Sequence, residues 1–265
     1  MTQPTVTLCK QAARFRDRDA TPRLGLIVLA SDLTTEPDFA TMLAPSGAVI
    51  HVTRVRNANP VTPANLRAMA GRLTEAAALL IEGVPLRAIY YSCTSASVLI
   101  GEAEVVANIQ AARPGTPVVT PSGAARHALA ALGAGRVAIL TPYTVETTEP
   151  MAHHFAANGF EVTACQCLGI EDDRDMAHVT GETIVDAARA VDTPETEAIF
   201  ISCTALPAVG VIAAIEEATG KPVVTSNQAG AWAMTRLGGL SGFRPAGFGR
   251  LFDLPMVGAG AGAAA

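Results

Sequence analysis

The chain has 265 residues, 49% of them hydrophobic and 16% charged, with a formal net charge of −5 at pH 7. This is enough for one large α/β domain or two small ones, each with a real core, and it excludes disorder as the main state. The net acidity argues against a polyanion-binding surface, because the one arginine-rich stretch, Arg14 to Arg23, is interleaved with Asp17 and Asp19.

Residues 1–21 read as a mobile polar leader that lacks the apolar core of a secretory signal, so a cytoplasmic location is expected. The run Leu24 to Ala30 has the length of a strand and falls far short of the roughly 18 to 20 residues of a membrane span. Neither nucleic acid nor membrane is an expected partner. A second strand closes after Arg54 and Arg56 on a loop holding Asn57, Asn59 and Pro60, placed at the edge of a cleft. The spacing of Leu66, Met69, Leu73, Ala76 and Leu80 predicts a helix over Pro63 to Ile81.

A buried strand at Ala88 runs into Ser92-Cys93-Thr94. Arg113-Pro114-Gly115 marks a turn, and Gly133-Ala134-Gly135 another. In the second half, Cys165-Gln166-Cys167 alternates along a strand and reads as core packing. Glu171 to Asp175 reads as a solvated acidic loop, and Gly181 to Ala190 as a helix. The strand Ala198 to Ile201 runs into Ser202-Cys203-Thr204. A helix over Gln228 to Leu237, with Trp232 in its core, is expected to pack back across the molecule within a segment 226–250. Residues 251–265 read as a flexible tail. Its Gly258-to-Gly262 run follows no strand and opens no helix, so it is no dinucleotide loop.

Three of these segments occur twice, in the same order. Arg23 to Ala30 parallels Arg136 to Tyr143, Ala88 to Ser95 parallels Ala198 to Ala205, and Pro117 to Ser122 parallels Pro222 to Asn227. A duplicated half-molecule leaves this trace. Each half alternates short apolar runs with helical spacing, the pattern of a parallel sheet wound on both faces. The fold class is therefore α/β, with two pseudo-symmetric doubly wound lobes over 22–121 and 122–225 and the active site between them.

Ligands of such lobes sit beyond the carboxyl ends of the strands, where both Ser-Cys-Thr triplets fall. At both triplets a strand gives way to a helix, whose free N–H groups are expected to lower the thiol's pKa and cradle a carboxylate. Cys93 and Cys203 would then face each other across a cleft, one to remove a proton and one to deliver it. No other cofactor chemistry competes. The five cysteines are an odd number with no His/Cys grouping of metal-ligand spacing. Of the two lysines, Lys10 lies in the leader and Lys221 in a turn, so neither reads as a Schiff-base lysine. Cys9, His153, His154 and His178 carry no such pattern and are set aside.

The paired strand-end cysteines in duplicated halves, with Thr141-Pro142-Tyr143 opening the second, resemble the aspartate/glutamate racemase superfamily in its maleate isomerase and arylmalonate decarboxylase branch. Within it, Leu24 to Glu36, Tyr91 to Ser97, Leu140 to Glu146 and Ile170 to Asp173 are most similar to ectoine-utilisation proteins of the EutA type. The resemblance implies Cys93 and Cys203 as acid/base or nucleophile pair, and Tyr143 as a hydroxyl that holds a carboxylate or oxyanion. It implies Thr94, Ser95, Thr204 and Ala205 as further donors around that anion. It also implies a homodimer or larger assembly and no metal or other cofactor.

Positions matching Asp32 and Asp173 are asparagines in maleate isomerases. Two carboxylates there would repel a dianion and favour a substrate that pairs a carboxylate with a positive group. The implied activity is racemisation or epimerisation of an amino-acid-like or cyclic amidinium intermediate of ectoine or hydroxyectoine breakdown. Maleate cis-trans isomerisation is the alternative. A decarboxylase, a type that uses only one cysteine of the pair, and a non-catalytic ligand-binding protein are further ones. Asn57, Asn59 and Asn227 stand at strand ends as additional candidates for substrate contact.

Overall fold

The computed structural model describes residues 3–256. Leu24, Leu26, Ile27 and Val28 have no solvent exposure, and this run forms β1 (Arg23–Leu29), the first strand of a four-stranded sheet. After it come α1 (Thr35–Leu43), β2 (Val49–Val55), α2 (Pro63–Arg67), α3 (Leu73–Ala78), β3 (Ala88–Ser92), α4 (Thr94–Ile100), α5 (Glu102–Ala112), β4 (Val118–Val119) and α6 (Pro121–Ala131). The second half repeats the plan with β5 (Arg136–Thr141), α7 (Val145–Ala157), β6 (Glu161–Cys167), α8 (Asp173–Met176), α9 (Gly181–Val191), β7 (Ala198–Ile201), α10 (Ile212–Thr219) and β8 (Val223–Thr225). The helix α11 (Ser226–Leu237) closes it.

The strand orders are β2-β1-β3-β4 and β6-β5-β7-β8, and every neighbouring pair is parallel. Each repeated segment therefore falls on the corresponding strand of its sheet. The sequence expectation of two parallel doubly wound halves holds. Side chains alternate between two cores. Ile27, Leu29, Ile89, Tyr91, Leu140 and Ile201 join one that reaches Cys93, Tyr143 and Cys203. Leu24, Leu26, Tyr90, Ile139 and Phe200 join another built around Phe39, Phe155 and Trp232.

The seat of α11 explains how its helix can lie against the first half. Gly230 faces the ring of Tyr90 on β3, and a Cβ at that position would stand 2.4 Å from the ring. Only a glycine admits this approach. A capping box at Thr225 and Gln228 fixes the start of the helix.

Four expectations change. The helix predicted over 63–81 is α2, a 3-10 turn at Ala70–Arg72 and α3, although Leu66, Met69, Leu73, Ala76 and Leu80 are all buried as its spacing required. The strand holding Cys165 and Cys167 lies at a sheet edge and both are half-buried free thiols, of which Cys165 packs against the core around Phe155 while Cys167 joins neither core. Residues 251–256 do not behave as a tail: Leu251 and Phe252 are 1% exposed, and the Leu254 carbonyl accepts the Trp232 indole N–H at 3.1 Å. The remainder of that predicted tail, 257–265, lies outside the described residues. Lastly, no helix follows directly on Cys203, as described below. Among the described residues no helix is long and apolar enough to cross a membrane.

Candidate active site

β3 delivers Cys93 in extended conformation (φ −157°, ψ 107°) as the residue that opens α4. Its carbonyl takes the Ser97 N–H at 3.0 Å, which starts the helix, and the Ser97 hydroxyl closes on the Thr94 carbonyl at 2.8 Å. Thr94 and Ser95 thus present the first turn of α4 beside the thiol, and Ser95 Oγ lies 3.8 Å from Cys93 Sγ.

Cys203 follows β7 but begins no α-helix. The next regular turn is a 3-10 turn at Val209–Val211. Pro207 supplies the reason, since it has no N–H and disfavours helical conformation at Leu206 before it. Cys203 itself has φ 109°, the one non-glycine residue with positive φ among the described residues. Such strain persists where surrounding structure enforces it. Here the Cys203 N–H is held by Ser226 Oγ at 3.1 Å, and Cys203 Sγ rests 3.9 Å from Met176 Sδ.

Both thiols line one small cavity. Thr94, Ser95, Tyr143, Asp173 and Thr204 line it with them. One wall is apolar, formed by Leu29, Val61, Leu66 and Met69, and Asn57, Ala58 and Asn65 complete the lining. Among the described residues no lysine, arginine or histidine lines this space, and Asp173 is the single carboxylate that does. The 57–66 wall is carried against the second half by bonds from Val61 N–H to the Glu171 carbonyl at 2.8 Å and from the Thr147 hydroxyl to the Val61 carbonyl at 3.0 Å.

The electrostatics differ from the expectation of lowered thiol pKa values. Burial pushes Cys93 up to about 12, against the weaker pull of the Ala96 N–H and the Ser95 hydroxyl. Burial likewise raises Cys203, although the Tyr143 hydroxyl and the N–H groups of Ala205 and Leu206 favour its thiolate. Desolvation outweighs the few N–H groups that each loop offers. The charge of Asp173 acts on both thiols in the raising direction. Tyr143 is itself held protonated by burial.

Two proposed contacts fall away from the cavity. Asp32 does not line it. Its Oδ1 accepts the N–H groups of Thr34 (2.9 Å) and Thr35 (2.8 Å), and its Oδ2 accepts the Thr35 hydroxyl at 2.7 Å, so the carboxylate is spent on the turn into α1. Ala205 is also outside the lining. Its N–H faces the Cys203 thiol and its carbonyl accepts the Thr34 hydroxyl at 2.6 Å.

Asp173 remains. It is 5% exposed, and Ser31 donates to its Oδ2 at 2.5 Å while Asn57 donates to Ser31 at 2.8 Å. Burial raises its pKa, with the nearby charges of Asp32 and Asp172 adding to the effect. Asn59 receives the Asp173 N–H at 3.2 Å and supports it from behind, and Asn227 bonds to Asp38 and to the Thr204 carbonyl; neither lines the cavity. The apolar wall at Leu29, Val61, Leu66 and Met69 was hidden in sequence because its residues look like ordinary core positions.

A family model described as arylmalonate decarboxylase matches residues 25–252. Maleate isomerase from Nocardia farcinica is 28% identical over 225 residues, covering 81% of this chain and 89% of that protein. Arylmalonate decarboxylase from Bordetella bronchiseptica is 38% identical over 141 residues, covering 52% of this chain and 59% of that one. A crystal structure of a cysteine-to-serine variant of the Nocardia farcinica maleate isomerase carries a covalently bound succinylcysteine intermediate. It superposes with a TM-score of 0.80 at 27% identity, over 88% of this chain and 98% of that one. With the matched region spanning both sheets and both cysteine loops, the chain belongs to the arylmalonate decarboxylase family, in its branch shared with maleate isomerases and built on the Asp/Glu racemase-like fold.

Proposed function

We propose that the protein is a cofactor-independent isomerase in which Cys93 and Cys203 form an acid and base pair acting on a small carboxylate. The observation that carries this reading is that two thiols from equivalent strand ends line a single small cavity. Once one of the two neutral thiols has given up its proton to solvent, that thiolate takes the Cα proton, and the opposed thiol donates its own proton to the other face. Two groups are required because a single base returns the proton to the face it came from. Thr94, Ser95, Thr204 and Tyr143 surround the carboxylate, whose charge grows in the transition state.

The substrate class follows from the lining. A cavity lined by no cation among the described residues and with a buried carboxyl group at Asp173 suits a molecule with one carboxylate and a positive or donor group at its other end. Amino-acid-like or cyclic amidinium compounds of the ectoine and hydroxyectoine type meet this description, in line with the resemblance read from the sequence. A homodimer or larger assembly belongs to the same proposal.

Maleate isomerisation is the second reading, favoured by similarity to a maleate isomerase over 81% of this chain. Cys93 sulfur would add to one alkene carbon while Cys203 protonates the other. Rotation about the resulting single bond and reversal of both steps then give the trans isomer. Incubation of ectoine-derived amino acids and of maleate in deuterated buffer, followed by NMR, separates the two. Deuterium at Cα of recovered amino acid is the expected result. Maleate turnover with no amino-acid exchange would replace the first reading by the second.

A further inference from the structure

The two halves differ at a position that touches both cysteine loops. In the repeat of Pro117–Ser122 and Pro222–Asn227, Ser226 stands where the first half has Pro121. Ser226 opens α11 and is fully buried. Its hydroxyl oxygen accepts the Cys203 N–H at 3.1 Å and the Thr94 hydroxyl at 2.8 Å. Its carbonyl accepts the Tyr90 hydroxyl at 3.0 Å. Tyr90 lies on the strand that leads to Cys93, and its ring is locked beneath α11 at Gly230. The first half thus fixes Ser226, and Ser226 in turn grips the cysteine of the second.

The grip falls on a backbone that needs it. Cys203 has φ 109°, which an L-residue abandons unless its surroundings enforce it. Cys93 has no such requirement. Its backbone is extended, and its N–H bonds locally to the Tyr91 carbonyl at 3.1 Å. Pro121, at the matching place in the first half, has neither hydroxyl nor N–H to offer.

We propose that Ser226 is a positioning residue, whose hydroxyl holds Cys203 in its left-handed conformation and ties it to Thr94 beside Cys93, fixing the separation of the two thiols. The consequence for turnover rests on the two-thiol reading above. The consequence for the geometry of Cys203 does not.

Labelling of the ligand-free full-length protein with iodoacetamide, resolved by site with mass spectrometry, tests it without a substrate. Ser226→Ala is expected to change the Cys203 rate about 10-fold and the Cys93 rate less than about 2-fold, as loss of one buried hydrogen bond allows. Ser226→Thr, which keeps the hydroxyl, restores the wild-type ratio. A Cys203 to Cys93 ratio unchanged in Ser226→Ala overturns the proposal. Should that variant not fold, Thr94→Val removes the other bond to the same hydroxyl, and a ratio moved by less than about 2-fold there overturns it equally. On a turned-over substrate, Ser226→Ala is expected to lower kcat by about 10-fold or more with KM nearly constant. A shifted labelling ratio in a protein that isomerises nothing would support the positioning role and sink the isomerase reading instead.

Discussion

Cys93 and Cys203 share a three-residue signature, yet what surrounds each thiol decides its chemistry more than the signature does. Burial holds Cys93 near 12 and raises Cys203 as well, so the resting site is a pair of neutral thiols. Alkylation requires thiolate. Labelling of Cys93 should therefore climb by about 10-fold per pH unit from pH 7 to 10 with no plateau, and levelling near pH 7 in a rate-against-pH series would contradict this. Asp173→Asn removes a negative charge that acts on both thiols. Both should then label faster at fixed pH, and the preference for cationic over dicarboxylate ligands should fall by about 10-fold in paired binding titrations. Asp32 belongs to a different account. Its carboxylate caps the turn into α1, so Asp32→Ala should cost about 1 to 2 kcal/mol in urea unfolding and leave that preference unchanged.

At the scale of elements, α5, α6 and α7 meet at Glu102, whose carboxylate accepts from Ser122 at 2.8 Å and Arg126 at 2.7 Å and lies 3.3 Å from His154 Nε2. These partners, His154 and Arg126 foremost, overcome the opposing cost of burial and hold its pKa at about 2, below its ordinary 4.5. A depressed carboxyl stabilises the fold fully above its unfolded pKa and loses that contribution as pH falls through the folded value. Glu102→Gln should therefore cost roughly 2 kcal/mol at pH 7 and much less at pH 2, read from denaturant midpoints at the two pH values. The sequence held no sign of this cluster, because its members come from three helices far apart along the chain. The buried face of 63–81 was legible from apolar spacing, whereas the 3-10 break at Ala70–Arg72 was not, since the spacing survives a local change of hydrogen bonding. The helix expected after Cys203 fails for a reason that was present in sequence: Pro207 distinguishes the second copy from Thr94–Ile100 in the first.

At the scale of the molecule, the duplicated segments made the architecture readable, because a repeat of strand, turn and helix can bury its apolar faces in one way twice. The cysteines were readable for the same reason. The loop at Asn57 was placed at a cleft edge and Asn57 does line the cavity, but the apolar wall at Val61, Leu66 and Met69 was not readable, since it is carried to the site by contacts between halves at Val61 with Glu171 and Thr147. A site assembled from two halves makes a demand on the kinetics. If one thiol takes the proton and the other delivers it, neither alone can complete an inversion. Cys93→Ser and Cys203→Ser should each lower racemisation by about 10³-fold or more, and the double variant should lose little beyond either single one. Each single variant should still bind ligand by calorimetry and should exchange deuterium into only one enantiomer without inverting it, because the remaining thiol faces one side of Cα. Racemisation at the wild-type rate in either single variant would mean that the two sulfurs share a cavity without sharing a reaction.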